Sequence, residues 1–73
     1  MAAAAPYYDA KAQARPTVMA QLSQLRAQRR GDHAGGVAYL LPSGGWALVT
    51  PKAGAAVRLR LYKGECPCGK KKG

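Results

Sequence analysis

The spacing of apolar residues changes along this chain from a helical period to a strand period. From Ala56 to Tyr62 the alternation is strict: Val57, Leu59 and Leu61 fall on one side, Arg58, Arg60 and Tyr62 on the other. A period of two reads as a half-buried strand with one wet face. Two short runs precede it, Val37–Leu41 and Trp46–Thr50, rich in Val, Leu and aromatic residues that suit a pleated surface. Pro42-Ser43-Gly44-Gly45 and Pro51-Lys52-Ala53-Gly54 lie between the runs, and Pro and Gly at such places signal turns. Residues 37–62 therefore predict a three-stranded antiparallel β-meander, the core of the molecule.

Upstream the period is that of a helix. Val18, Leu22 and Leu25 stand at i, i+4 and i+7 and share a face, with Met19 at its edge. The surrounding residues 9–30 are mainly Ala, Gln, Arg and Leu, good helix formers. Pro16 lacks an N–H and suits a first helical turn, so the main helix is expected to begin near it, with Asp9 capping a short turn before. Arg29 and Arg30 complement the negative end of a helix dipole, and Gly31 supplies a stop. Residues 31–36, GDHAGG, read as a glycine-rich hinge. The start, residues 1–8, reads as an extended arm whose Tyr7 and Tyr8 either anchor on a partner or pack on the chain's own sheet. Residues 63–73, KGECPCGKKKG, read as a flexible basic tail. The expected fold class is α+β: an N-terminal helix on a three-stranded meander, with flexible ends. The Val18/Leu22/Leu25 stripe is the natural cover for the meander's apolar face.

Composition bears on how this unit stands alone. The chain has 73 residues, with no Phe and no Ile, and much of its 48% apolar content is Ala. A domain this small buries only about 60% of its unfolded surface. The expectation is that a partner completes the core or orders part of the chain. No run approaches the ~20 apolar residues of a membrane span, and the start lacks the pattern of a secretory signal. An intracellular location, or a place inside a virion particle, follows as the expectation. Two cysteines without a signal fit a reducing compartment.

Charge changes the picture most. Twelve Lys and Arg face three Asp and Glu, for a net charge of +9. Such an excess draws polyanions through counterion release. The candidate contacts are Arg26, Arg29 and Arg30 at the helix end, Arg58, Arg60 and Lys63 on or beside the wet strand face, and Lys70, Lys71 and Lys72 in the tail. Arg forks bind phosphate bidentately, and Lys supplies point charges. Tyr39, Trp46 and Tyr62 are stacking candidates should they share that face, although Trp46 in so small a core reads first as a structural residue.

The remaining chemistry is sparse. Cys66-Pro67-Cys68 with His33 offers three zinc ligands, and a structural zinc takes four, so such a site would need Glu65, Asp32 or a partner's residue to complete it. Glu65 to Lys71 resembles the opening of the SEC-C zinc motif, whose second ligand pair has no counterpart in this sequence; no function is carried over, and no cofactor is expected. Asp9, Asp32 and Glu65 are scattered, so no general acid–base pair is evident, and an enzyme is not expected. The leading expectation is a small basic structural or accessory subunit of a nucleic-acid-containing assembly, a ribonucleoprotein or a virion, that docks on neighbouring proteins. A virion decoration, connector or tail component acting through protein contacts is the alternative. A free-standing nucleic-acid-binding regulator is the third.

Overall fold

The computed structural model describes residues 5–64. The fold is α+β, with one helix and a six-stranded antiparallel sheet. The elements are β1 (Tyr8–Asp9), β2 (Gln13–Ala14), α1 (Arg15–Gln24), β3 (Gln28–His33), β4 (Gly36–Leu40), β5 (Trp46–Pro51) and β6 (Ala56–Tyr62). Strands β3 to β6 form a continuous meander, and the sheet order is β1-β6-β5-β4-β3, with β2 also pairing β6. The three strands expected from residues 37–62 are β4, β5 and β6, and β6 has the bounds read from the alternation.

Two segments expected to be helical are strands instead. The helix starts at Arg15 with Pro16 in its first turn, but it ends at Gln24, well before Gly31. The stop is a Schellman motif. The Arg26 N–H donates to the Ser23 carbonyl at 3.0 Å and the Ala27 N–H to the Leu22 carbonyl at 3.0 Å, with Arg26 left-handed at φ 58°. The motif's usual residue there is Gly; here it is Arg, and the apolar contact that accompanies the motif comes from Ala27 against the cluster that contains Leu22. Gln28–His33 then runs as an edge strand. The expected hinge 31–36 is likewise a hairpin. His33 pairs with Gly36, and Ala34 and Gly35 both have positive φ, 50° and 82°, which is the type I′ geometry that matches strand twist.

The N-terminal segment is the second correction. Asp9 caps no helix turn; it lies in β1, opposite Arg60. Tyr8 pairs with Leu61, Gln13 with Val57 and Ala14 with Ala56. The register advances by one residue between Asp9 and Gln13, so the segment follows β6 with a bulge. Tyr7 and Ala10 donate to the carbonyls of Leu61 (2.9 Å) and Leu59 (3.0 Å). Strand β6 is thereby paired along both sides.

The alternation of β6 divides the apolar residues into two clusters. On the helix side, Val18 and Leu22 pack with Leu41, Ala47, Val49, Val57 and Leu59. Leu25, the third member of the helical stripe, is exposed, because it sits at the turn out of the helix. On the opposite face, Ala38, Trp46, Leu48 and Tyr62 form a smaller cluster. Trp46 and Tyr62 are cross-strand partners whose rings stack at 4.2 Å and 9°. His33, from the far edge strand, meets Trp46 edge-on at 5.6 Å, a contact that requires a strongly coiled sheet. The second face is therefore only partly wet, and Tyr62 is buried, not solvated as the alternation suggested.

The hairpin between β3 and β4 yields opposing predictions. At Gly36 a Cβ would collide with the Val49 carbonyl oxygen and lie 2.7 Å from Thr50 Cγ2. Gly36→Ala should cost about 2–3 kcal/mol by forcing β4 from β5. Ala34→Asn, which relieves a left-handed alanine in the type I′ turn, should stabilise by about 0.5–1 kcal/mol. Thermal unfolding followed by circular dichroism reads both; equal shifts in the same direction would refute this turn assignment.

Candidate nucleic-acid interface

The arginines and lysines expected to act together are placed in separate groups. Arg26 occupies the corner where α1 ends, and Arg29 and Arg30 follow on β3; all three are exposed. A register shift lies between Arg29 and Gly31, so Arg30 is the extra residue of a bulge. Bulges re-aim side chains, and here the extra one is cationic and on an edge strand. Charged residues on such an edge also discourage strand-to-strand aggregation.

Arg58 and Arg60 lie elsewhere. Strand β6 is three positions from β3 in the sheet order, roughly 14 Å away at a strand spacing of ~4.8 Å. Both arginines point to the face without the helix, and Asp9 engages them there. Arg58 donates from Nε and Nη2 to the two carboxylate oxygens of Asp9, each at 2.7 Å. Arg60 Nε is 3.8 Å from Asp9 Oδ1. A bidentate fork of this type is the strongest common ion-pair geometry. The hydrogen bond from Arg58 holds the Asp9 carboxyl below its ordinary value; burial opposes this, and the charges of Arg58 and Arg60 add to it. The same hydrogen bond raises the Arg58 guanidinium.

The other described carboxylate is committed loosely. Asp32 Oδ1 is 3.7 Å from Arg29 Nη2, and both side chains are mostly exposed. An exposed pair beyond hydrogen-bond length contributes at most about 1 kcal/mol. A phosphate can replace it at low cost. Among the described residues, no acid pairs with Arg26, Arg30, Lys52 or Lys63. Among the described residues Lys11 and Arg15, ahead of and at the start of the helix, are likewise exposed and without an acid, so the uncompensated charge lies off β6, and Arg26, the weakly held Arg29 and Arg30 are the arginines among it that stand close together in sequence.

The aromatic candidates also part company. Trp46 and Tyr62 stack on each other and are buried, so neither offers a face to a base. Tyr39 pairs with Ala47 in register, on the helix side, and packs against the helix-side core. The exposed aromatics are Tyr7 and Tyr8, 54% and 40% accessible. The sequence leaves these two open between anchoring on a partner and packing on the chain's own sheet; their backbones join the sheet while their side chains stay exposed. Tyr7 lies near Lys63, whose Nζ is 6.0 Å from the ring centroid.

A shallow apolar groove of about 210 Å³ runs between α1 and the β1–β6 edge, lined by Tyr8, Gln21, Gln24, Leu25, Leu59 and Leu61. Gln21 Oε1 is buried there without a hydrogen-bond partner. Buried acceptors normally find a donor, so this atom marks a place where a neighbour's N–H or O–H would gain a bond.

His33 stands against Trp46, and no cluster of three His, Cys, Asp or Glu side chains occurs among the described residues. Cys66, Cys68, Lys70, Lys71 and Lys72 lie outside them, as does the stretch resembling the zinc motif. No described helix is long and apolar enough to cross a membrane.

The Asp9 fork carries a pH signature. A carboxyl whose folded pKa is depressed stabilises fully above its unfolded titration, about pH 4, and loses that stabilisation as pH falls through the lowered folded value. Asp9→Asn should therefore lower stability at neutral pH and flatten the acid limb of the stability profile below about pH 4. Urea unfolding at pH 7 and pH 2.5 measures this; equal losses at both would contradict the assignment. The chain matches no family model, no curated protein and no solved structure.

Proposed function

We propose that this protein is a small basic accessory subunit of a nucleic-acid-containing assembly, a ribonucleoprotein particle or a virion. It has no catalytic role in this reading. It holds the phosphate backbone electrostatically and docks on protein neighbours. The observation that supports this best is the distribution of its ion pairs. Two carboxylates serve three arginines, and one of the two, Asp9, secures the N-terminal strand. Arg26 and Arg30 remain uncompensated beside a weakly held Arg29. Their contacts would be to phosphate, which positions a nucleic acid without reading its sequence. Lys70, Lys71 and Lys72 extend the cationic set in the sequence.

Arg26 adds a second strand to the argument. A non-glycine residue in the left-handed region costs about 1–2 kcal/mol. Glycine would relieve that cost, yet an arginine stands there, three and four residues before the weakly held Arg29 and the uncompensated Arg30. Strain retained at an exposed cation is consistent with use of that cation.

A second reading has its own support. The groove beside Tyr8 and Leu25, with its unpaired Gln21 oxygen, suits a protein contact. A virion decoration, connector or tail component would use that surface, with the positive charge incidental. A free-standing regulator requires that the isolated chain binds nucleic acid tightly at physiological salt.

Titration of a labelled oligonucleotide across salt concentrations decides among these. With about four phosphate contacts, affinity should fall roughly a hundredfold between 50 and 200 mM salt. Absence of binding at 50 mM salt would refute the electrostatic reading and leave the protein-contact one. Arg26→Gly should raise stability by about 1 kcal/mol while reducing the salt slope by about 0.7–0.9. A stabilised variant with an unchanged slope would remove Arg26 from the interface.

A further inference from the structure

The end of the sheet where β6 terminates carries a cleft that the charge pattern does not explain. It is about 380 Å³ in volume and is lined by Tyr7, Ser43, Gly44, Gly45, Tyr62 and Lys63, with Gly64 at its rim. That volume lies within the usual range of ligand sites, ~300–1,000 Å³. We infer that this cleft holds one unpaired base of a single-stranded nucleic acid, stacked on Tyr7, with the adjoining phosphate on Lys63.

Four observations converge. First, Tyr7 is 54% exposed, although its backbone is fixed by the N–H donated to the Leu61 carbonyl at 2.9 Å. An aromatic ring presented on an anchored backbone is a stacking platform that costs little order to use. Second, Lys63 Nζ stands 6.0 Å from that ring's centroid, at the outer limit of a cation–π contact. Among the described residues it has no carboxylate partner. The ammonium thus lies over one face of the ring, held there only by a contact at its outer limit, so it can swing to a phosphate as a base takes the ring face.

Third, the opposite wall is a glycine loop. Leu41 N–H donates to the Gly45 carbonyl at 2.9 Å, and Gly44 N–H donates to the Leu41 carbonyl at 3.0 Å, so the loop is held by its own backbone. A Cβ at Gly45 would come within 2.5 Å of the Tyr62 carbonyl oxygen. The loop therefore sits flush on the end of β6 and leaves the cleft free of side chains on that side, save Ser43. Fourth, the stacked pair Trp46–Tyr62 lies behind, so the cleft backs onto a packed aromatic layer.

The geometry also selects the form of nucleic acid. In a duplex both faces of each base are already covered, and reaching the Tyr7 ring would require extruding a nucleotide at a cost in stacking and pairing. A single strand pays much less. Tyr7 and Lys63 stand at the end of the β1–β6 ladder, separate from Arg26 and Arg30. The cleft would fix a base while the arginine ridge holds phosphates further along the strand.

This inference rests on the polyanion reading above, and the test separates the two. Fluorescence anisotropy compares a labelled oligothymidylate with a labelled duplex of the same length, at fixed ionic strength, on the full chain. The expected result is about tenfold tighter binding to the single strand. Tyr7→Ala should abolish that preference, weakening the single strand about tenfold and leaving the duplex unchanged, whereas Tyr7→Trp should retain it. Lys63→Gln should reduce the salt slope for the single strand by about 0.7. Equal wild-type affinity for both oligonucleotides, or unchanged single-strand binding by Tyr7→Ala, overturns the cleft while the electrostatic reading stands. Failure of both oligonucleotides to bind at 50 mM salt overturns the electrostatic reading and this inference together. Circular dichroism of each variant confirms that the comparison is made on folded protein.

Discussion

Strand β6 is the constraint on which the rest of the structure depends. Its odd residues, Val57, Leu59 and Leu61, meet the helix side of the core, while its even residues, Arg58, Arg60 and Tyr62, face the other way. Each odd side chain must be covered, and α1 is the element that covers them. Its backbone is paired by β5 on one side and by the N-terminal segment on the other. A one-residue slip would place arginines under the helix and leucines in water, so the register is fixed by burial and not by hydrogen bonding alone. The same strand holds Arg58 for Asp9, which ties the N-terminal segment to the sheet. Fold and charge distribution are thus decided at one place.

This arrangement makes room for two alanines at the centre of the core. Ala38 and Ala47 are fully buried, and their size lets neighbouring layers approach closely. Ala47 lies under the helix-side cluster, while Ala38 belongs to the aromatic one. Tyr62 joins Trp46 to make a second, compact apolar layer on a face that would otherwise be open. With offset aromatic stacking adding about 0.5–1.5 kcal/mol beyond area, that pair supplies some of what the missing Phe and Ile do not. Among the described residues no charged side chain is buried, and the orphaned Gln21 oxygen belongs to a residue that lines the groove beside Tyr8 and Leu25.

The meander was legible because its strands have interior positions. Residues 56–62 alternate cleanly, and the Pro and Gly clusters at 42–45 and 51–54 have no other economical reading. The helix start was legible through Pro16. The helix end was not, because the Schellman turn uses Arg26 where the usual signal is Gly. Strands β1, β2 and β3 were also hidden, for a shared reason. Edge strands are exposed, so Gln28-Arg29-Arg30 and Tyr8-Asp9 need no apolar alternation; local propensity then favours helix, and tertiary pairing overrides it. For the candidate site, sequence identified which residues are cationic but not which are neutralised. The Asp9–Arg58 pair spans 49 positions, beyond any local pattern. Tyr62 read as a wet-face residue from alternation alone, whereas its cross-strand partner Trp46 buries it.

The central functional claim is that positive charge is silenced on β6 and available at the helix end and β3. Backbone amide shift mapping during titration with a short oligonucleotide tests it most directly. The account predicts the largest perturbations at Arg26, Arg29 and Arg30, saturating together and fading at high salt, with the Arg58 and Arg60 amides nearly still. Perturbations centred on Arg58 and Arg60 with a silent β3 would contradict it.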